Sequence, residues 1–238
     1  MVLTVDIGNT NITFGAYKND ELMFVLRLST DRRRTRDQYA AEFHDLLRLN
    51  GVEGSDFSGA IIGSVVPELT RAVKEAVEFV TGRTPLMVGP GIKTGLNIRT
   101  DDPGELGADL VAGAVAAIEL FPLPCLVMDL GTATKISVID EKGVFRGCTI
   151  AAGVGISVEA LAAKTSQLPG ISLSAPAHTI GTNTIDCMQS GTVFDTSAIA
   201  ATGGFAGEIV RNCRRKVTYD GELLLKGLKI LYDRNSSK

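Results

Sequence analysis

The stretch Val2-Leu3-Thr4-Val5-Asp6-Ile7-Gly8-Asn9-Thr10-Asn11 opens the chain with an apolar run that ends in an acidic residue. A glycine turn with small hydroxyl and amide side chains follows this run. Apolar runs of strand character then cover residues 12–17 and 21–28, and a Lys-Asn-Asp turn separates them. The pattern predicts three consecutive β-strands joined by short turns.

The same order of elements returns at mid-chain. An apolar run ends in Asp129, as the first run ends in Asp6. A glycine turn follows at residues 130–134, and two further runs of strand character cover residues 135–139 and 144–150. The sequence therefore predicts a second three-stranded unit with the same spacing as the first.

Each half of the chain also contains a later strand that leads directly into a helix. In the first half, a strand over residues 60–66 precedes a helix over residues 67–80, whose first residue is proline. In the second half, a strand over residues 199–204 precedes a helix over residues 205–213. One α/β plan that occurs twice is better explained by duplication than by chance. We therefore expect an α/β protein with two similar domains.

Three further helices are predicted at residues 35–49, 106–120 and 221–232. The first is amphipathic and is closed by a glycine, whereas the second is rich in alanine and is expected to be buried. The domain boundary is predicted just before the alanine-rich helix. The expected domains are residues 1–104 and residues 105–238.

The composition narrows the class of protein. With 45% hydrophobic and 21% charged residues, the chain is an ordinary folded α/β protein rather than a disordered one. A net charge of −3 gives no electrostatic reason to expect nucleic acid as a partner. The four cysteines form no C-x-x-C pair, so neither a zinc site nor a redox motif is supported. The longest apolar stretch is broken by a glutamate and two prolines, so we expect no membrane span and a cytoplasmic location.

The two turns after Asp6 and Asp129 have the composition of a phosphate-binding site. Glycine and small side chains let backbone N–H donors approach a phosphate, and an adjacent carboxylate can bind Mg²⁺, which prefers oxygen ligands. One such turn alone is more typical of a hairpin, but a repeated pair favours binding of a triphosphate. The turn Thr202-Gly203-Gly204 before a helix suits a nucleotide, and a tight strand–helix connection explains it equally well.

Asp109 lies at the start of the mid-chain helix, within Gly107-Ala108-Asp109. An acidic residue there also complements the helix dipole, so this motif alone leaves its role open. The motifs of P-loop proteins, dinucleotide-binding domains and α/β-hydrolases do not occur in the sequence. The basic run at residues 32–36 is interpreted as a solvated helix entrance rather than a nucleic acid patch.

Six motifs occur in an order that resembles the type III pantothenate kinases, and the resemblance covers nearly the whole chain. They are Val5-Asp6-Ile7-Gly8-Asn9-Thr10-Asn11, Thr94-Gly95-Leu96-Asn97-Ile98-Arg99, Gly107-Ala108-Asp109, Asp129-Leu130-Gly131-Thr132-Ala133-Thr134, Gly181-Thr182-Asn183-Thr184 with Gln189-Ser190-Gly191, and Thr202-Gly203-Gly204. The resemblance implies duplicated ribonuclease-H-like domains of the actin-like ATPase type, with a nucleotide cleft between them, and a homodimer. It also implies that ATP and pantothenate give ADP and 4′-phosphopantothenate, the first step of coenzyme A synthesis.

The resemblance further implies roles for individual residues. Asp109 would be the general base for the pantothenate hydroxyl, Asp6 would bind Mg²⁺, and Asp129 would bind a monovalent cation, K⁺ or NH₄⁺. The residues expected at ATP and its phosphates are Asp6, Gly8, Asn9, Thr10, Asn11, Thr13, Gly131, Thr132, Gly203 and Gly204. Those expected at pantothenate are Gly107, Ala108, Asp109, Leu110 and Thr184.

Several positions depart from the pattern of that family. Leu110 stands where the family normally has an arginine, which could pair with the pantothenate carboxylate. Thr100 stands where an aromatic residue is frequent, and the segment between Gly191 and Thr202 is shorter than in the family. Two alternatives therefore stay open. One is a non-catalytic nucleotide-binding relative with a regulatory or partner-binding role, and the other is a kinase for a related small acceptor.

Lys135 is a further departure, because it replaces a second threonine after the turn at residues 132–134. Its ammonium could stand in for the monovalent cation near Asp129. A lysine on the solvent-exposed face of a hairpin strand explains the residue equally well.

Overall fold

The computed structural model describes residues 1–194, 200–202 and 218–236. Its strands are β1 (Val2–Ile7), β2 (Asn11–Lys18), β3 (Glu21–Ser29), β4 (Gly59–Ser64), β5 (Leu86–Met87), β6 (Asn97–Ile98), β7 (Cys125–Leu130), β8 (Ala133–Ile139), β9 (Val144–Ala152), β10 (Ala200–Thr202) and β11 (Thr218–Tyr219). Its α-helices are α1 (Arg36–Leu49), α2 (Pro67–Thr81), α3 (Ala108–Leu120), α4 (Val154–Lys164), α5 (Thr184–Phe194) and α6 (Leu223–Ser236). None of the helices within these described ranges has the length and apolarity needed to cross a membrane.

The first sheet is built around two buried parallel strands. Its order is β3-β2-β1-β4-β5, with β1 antiparallel to β2 and parallel to β4. Apart from Val2 at the start of β1, the apolar residues of β1 and β4 are fully buried, as expected for strands that are covered on both faces. In the register of this sheet, Asp6 pairs with Thr13 of β2 and with Gly63 of β4. Asp6 therefore lies at the carboxyl end of β1.

The second sheet repeats the order of the first. Its strands run β11-β10-β7-β8-β9, and β6 is added at the edge beyond β9. β7 is antiparallel to β8 and parallel to β10, as β1 is to β2 and β4. Asp129 pairs with Lys135 of β8 and Thr202 of β10, which is the position that Asp6 has in the first sheet. The predicted duplication of one α/β plan is confirmed.

The first two helices begin and end near the residues that the sequence predicts. Thr35 caps α1 in a capping box with Gln38, whose side chain accepts a hydrogen bond from the Thr35 N–H at 2.9 Å. Proline opens α2, and Gly82 follows its last residue in the left-handed conformation, with φ of 65°. Both helices match their predicted ranges to within one residue. The predicted helix at residues 205–213 lies outside the described residues.

The chain divides into two compact units, and their limits differ from the predicted boundary at residue 104. The first unit is Met1–Asn97, Asp101–Leu120 and Leu223–Lys238, and the second is Ile98–Thr100 and Phe121–Glu222. The physical reason is the C-terminal helix α6, which packs against α3 and against β1 and β4 of the first sheet. Both helices therefore belong to the first unit, although 102 residues of sequence separate them.

Gly227 allows α6 to approach α3 closely. A Cβ atom on Gly227 would lie 1.9 Å from the backbone oxygen of Ala112. Overpacking a core usually costs about 1–3 kcal/mol, and a clash with backbone atoms belongs at the upper end of this range. The gain of roughly 1 kcal/mol in helix propensity offsets part of this cost, so we expect Gly227→Ala to lower the free energy of unfolding by about 1–2 kcal/mol. Urea unfolding of the two proteins measures the difference.

The control for this substitution is Gly89→Ala, also in the first unit. No atom lies within 4 Å of a Cβ atom at Gly89, so the change meets open space. Equal losses of stability in the two variants would contradict the close approach of α3 and α6.

Candidate active site

The turn after β1 is tight and is fastened to the end of β3. The N–H of Gly8 donates to the carbonyl oxygen of Asn11 at 3.0 Å. Thr30 holds the turn from outside, because its hydroxyl donates to the Gly8 oxygen at 2.7 Å and its N–H donates to the Thr10 oxygen at 3.0 Å. The side chains of Asn9, Thr10 and Asn11 are exposed. They are therefore open to solvent in the turn that is predicted to bind phosphate.

Arg32 is a cation beside this turn that sequence reasoning missed. Its Nη2 donates to the Asn9 Oδ1 at 3.2 Å, and the residue is exposed, in agreement with the interpretation of residues 32–36 as a solvated helix entrance. The segment is ordered locally, because the N–H of Arg33 donates to the Asp31 Oδ1 at 2.9 Å. That backbone hydrogen bond, followed by one from the Arg33 side chain, lowers the pKa of Asp31 below its ordinary value. A guanidinium next to a glycine turn is suited to phosphate.

The Gly107-Ala108-Asp109 motif lies against β4 in the first unit. A Cβ atom on Gly63 would be 3.6 Å from the Cβ atom of Ala108, and Gly63 is the ladder partner of Asp6. The first turn of α3 therefore covers β4 at the residue that pairs with Asp6. The structure thus brings two of the predicted site motifs to the same end of the first sheet.

The carboxylate of Asp109 is turned back along its own helix. Its Oδ1 accepts a hydrogen bond from the N–H of Leu110 at 2.8 Å. A Cβ atom on Gly107 would lie 2.6 Å from the same oxygen, so a larger residue at 107 would displace the carboxylate. Glycine at 107 therefore fixes where Asp109 can place its oxygen atoms.

The turn after β7 depends on Gly153, which lies at the end of the following hairpin. The N–H of Gly131 donates to the Ala133 oxygen at 3.2 Å, and the N–H of Gly153 donates to the Thr132 oxygen at 3.1 Å. A Cβ atom on Gly153 would lie 2.2 Å from the Thr132 oxygen and 2.4 Å from the Gly131 oxygen. Gly153 thus supports the turn from the start of α4, and Thr132 is left exposed within it.

Asp129 forms an ion pair with Lys135 of the neighbouring strand. The Lys135 Nζ lies 2.7 Å from the Asp129 Oδ2, and each side chain is only 15% exposed. The residues are direct partners in the ladder between β7 and β8. Throughout residues 1–194 and the two shorter described segments, no group of three or more His, Cys, Asp or Glu side chains could hold a metal ion. A monovalent cation at Asp129 would have to compete with the lysine ammonium for Oδ2.

Thr184 lines a cavity of about 860 Å³ that lies wholly within the second unit. Asn183 caps α5, because its Oδ1 accepts a hydrogen bond from the N–H of Asp186 at 2.9 Å. A Cβ atom on Gly181 would lie 2.3 Å from the Cys187 nitrogen, so this glycine allows the loop to return onto the helix. The remaining walls come from β8, β9, α4 and the loop after it, and include Thr134, Ala152, Ser157, Leu161 and Leu168. Gly203 and Gly204 lie outside the described residues.

The chain matches the family model for type III pantothenate kinases over residues 2–202. The chain belongs to the type III pantothenate kinase family. A type III pantothenate kinase of Halalkalibacterium halodurans is 40% identical over 253 residues, which cover 99% of this chain and all of the relative. That alignment is longer than this chain, so the relative has residues that this chain lacks.

Solved structures show the fold of the family. A protein of Campylobacter jejuni described as a Baf family transcriptional activator superposes with a TM-score of 0.62 at 20% identity, over 99% of this chain and all of that chain. A Sinorhizobium meliloti protein assigned as a 2-dehydro-3-deoxygalactonokinase gives 0.60 at 13% identity, over 97% and 95%. Together with the duplicated strand order, these likenesses confirm the ribonuclease-H-like fold that was expected for such a kinase.

Proposed function

We propose that this chain phosphorylates pantothenate with ATP and releases ADP and 4′-phosphopantothenate. The family membership supports this reaction, since the relatives are named type III pantothenate kinases. The observation that carries the proposal is the position of Gly107-Ala108-Asp109. The start of its helix packs against Gly63, the ladder partner of Asp6, and this supports the proposal that Asp109 and the turn after β1 belong to one site.

In this proposal each glycine turn, at residues 8–11 of the first unit and at residues 131–133 of the second, is a phosphate-binding turn. Their exposed side chains and backbone N–H donors suit the phosphates, and Arg32 adds a cation beside Asn9. Asp6 offers carboxylate oxygens, which are the donors that Mg²⁺ prefers, so the residues present fit this metal. When bound, Mg²⁺ neutralises charge on the phosphates of ATP.

Asp109 acts as the general base in this proposal. Its carboxylate accepts the proton of the pantothenate hydroxyl while that oxygen bonds to the γ-phosphorus. The bond from the γ-phosphorus to the β–γ bridging oxygen breaks, and ADP leaves with the electron pair. Gly107 and Ala108 lie beside the base in the first unit, and Leu110 and Thr184 are each proposed to contact the acceptor. A base positioned in this way contributes about 10²–10⁴ in rate, and the remainder comes from positioning and charge neutralisation.

The direct test is a coupled ADP-release assay with pantothenate as acceptor, followed by mass spectrometry of the product. Formation of 4′-phosphopantothenate supports the proposal. ATP binding without turnover on pantothenate or on acceptors that share its hydroxyl arm would favour the non-catalytic alternative. Turnover only on acceptors without the carboxylate would favour a kinase with a changed substrate.

Leu110 is expected to weaken pantothenate binding, because it offers the substrate carboxylate no charge. Leu110→Arg should lower the KM for pantothenate by about 10–100-fold, since a hydrogen bond to a charged group contributes about 1.5–3 kcal/mol. The KM for pantetheine, which has no carboxylate, should not change. Steady-state kinetics with both acceptors measure the effect, with Leu110→Met as the control. An equal change for both acceptors would contradict a role for residue 110 in carboxylate recognition.

The same proposal includes a homodimer in the cytoplasm, the compartment that holds the ATP this reaction consumes. Five large apolar side chains of the second unit support the dimer, because each is at least partly exposed in the single chain: Ile150, Ile156, Leu161, Ile180 and Ile185. Exposed side chains of this size are available to a partner surface. Light scattering of the purified chain measures its mass directly.

A further inference from the structure

We propose that the side-chain ammonium of Lys135 takes the place of a monovalent cation at Asp129. This chain then needs no potassium for binding its nucleotide or for phosphate transfer. The activity test of this inference rests on the proposed function. The nucleotide-binding test does not require pantothenate to be the substrate. It replaces the expectation that Asp129 binds K⁺ or NH₄⁺.

The sheet register places the ammonium at the carboxylate. Lys135 lies directly opposite Asp129 in the antiparallel ladder of β7 and β8, where side chains on one face are neighbours. The Lys135 Nζ lies 2.7 Å from the Asp129 Oδ2. The cation is therefore part of the chain and is held at its position by two paired strands of the second sheet.

The solvent-facing interpretation of Lys135 does not agree with this geometry. Its side chain is 15% exposed, as is that of its partner, whereas Lys142 in the hairpin turn of the same sheet is exposed. In the duplicated first sheet, the residue paired with Asp6 is the uncharged Thr13. The positive charge opposite the acidic residue is therefore a property of the second sheet alone.

The chemistry of the two cations is equivalent at this position. A lysine ammonium has the charge of K⁺ and is a substituted form of NH₄⁺, the other ion expected there. An ion from solution could bind Oδ2 only by displacing the ammonium, which would leave a largely buried lysine without its partner. A tethered cation also has a high effective concentration, so it competes strongly with dissolved potassium.

The first experiment measures MgADP binding by calorimetry, in KCl and in choline chloride of equal ionic strength. The wild-type protein is expected to bind with the same affinity in both salts. Lys135→Thr is expected to bind about tenfold or more weakly in choline chloride than in KCl, because the variant must recruit its charge from solution. The exposed Lys142→Thr is the control and should behave like the wild type. Circular dichroism checks that each variant is folded.

The second experiment measures ADP release with pantothenate across the same salts, and with NH₄Cl. The wild-type rate is expected to stay constant, whereas Lys135→Thr should lose its rate in choline chloride and recover it in KCl or NH₄Cl. If neither the wild type nor the variants phosphorylate pantothenate, the proposed function fails. Calorimetry still tests the role of Lys135 in that case. If Lys135→Thr is unfolded, the wild-type comparison decides it. A wild-type protein that loses nucleotide affinity without potassium, or a folded Lys135→Thr that is indifferent to the salt, would overturn the proposal.

Discussion

Replacing Asp109 with asparagine is expected to lower kcat for pantothenate phosphorylation by about 10²–10⁴-fold. Asparagine has nearly the same shape as aspartate, and its side-chain oxygen can still accept the hydrogen bond from the Leu110 N–H. It cannot accept the proton of the acceptor hydroxyl. We therefore expect the fold and the affinity for MgADP to be retained, and steady-state kinetics together with calorimetry separate the two effects.

Asp102→Asn is the matched control for this variant. The Asp102 Oδ1 also accepts a backbone hydrogen bond, from the Gly104 N–H at 2.9 Å, and the residue lies in the same unit. Its carboxylate has no proposed part in the reaction, so kcat should be unchanged. Asp109→Asn with wild-type kcat would refute the general base and leave the helix dipole as the explanation of Asp109.

Gly153→Ala is expected to damage the second phosphate turn without touching any residue that contacts pantothenate. The added Cβ atom would lie within 2.4 Å of the carbonyl oxygens of Gly131 and Thr132, so the turn must move. A displacement near 1 Å is enough to cost about 10²-fold in kcat/KM for ATP. Kinetics with varied ATP measure this loss, while the KM for pantothenate should change little.

The same variant should also lose about 1–3 kcal/mol of unfolding free energy, because the clash is with backbone atoms of the short turn that joins β7 and β8. Gly170→Ala is the control in the same unit, since no atom lies within 4 Å of a Cβ atom there. A lower free energy of unfolding with an unchanged kcat/KM for ATP would show that Gly153 supports the fold and has no effect on the nucleotide turn.

Much of the fold could be predicted because its signals are local. The alternation of apolar residues and the Asp-x-Gly turns gave both three-stranded units, and the position of Asp6 and Asp129 at strand ends followed from the same pattern. The domain limits could not be predicted in this way. They depend on the packing of α6 against α3. This contact joins residues such as Gly227 and Ala112, which are far apart in the sequence, so no local sequence pattern indicates it.

The candidate site shows the same division between local and distant information. The roles of Gly107 and Gly131 follow from short motifs, whereas Arg32 reaches Asn9 over 23 positions of sequence. Lys135 was ambiguous for another reason. A change of one residue in strand register moves a side chain to the opposite face of a sheet, and only the observed pairing with Asp129 decides which face it occupies.

The position of α6 has a consequence for synthesis of the protein on the ribosome. The last helix packs on the strands β1 and β4, which are made among the first residues, and the Tyr232 hydroxyl lies where a side chain at Gly59 would be. The apolar face of β1 and β4 that α6 covers therefore stays open until residues 223–236 have been made. The second unit is encoded almost entirely between these parts, so its residues emerge before the first unit can close. A nascent chain halted before Leu223 exposes that face to chaperones and proteases.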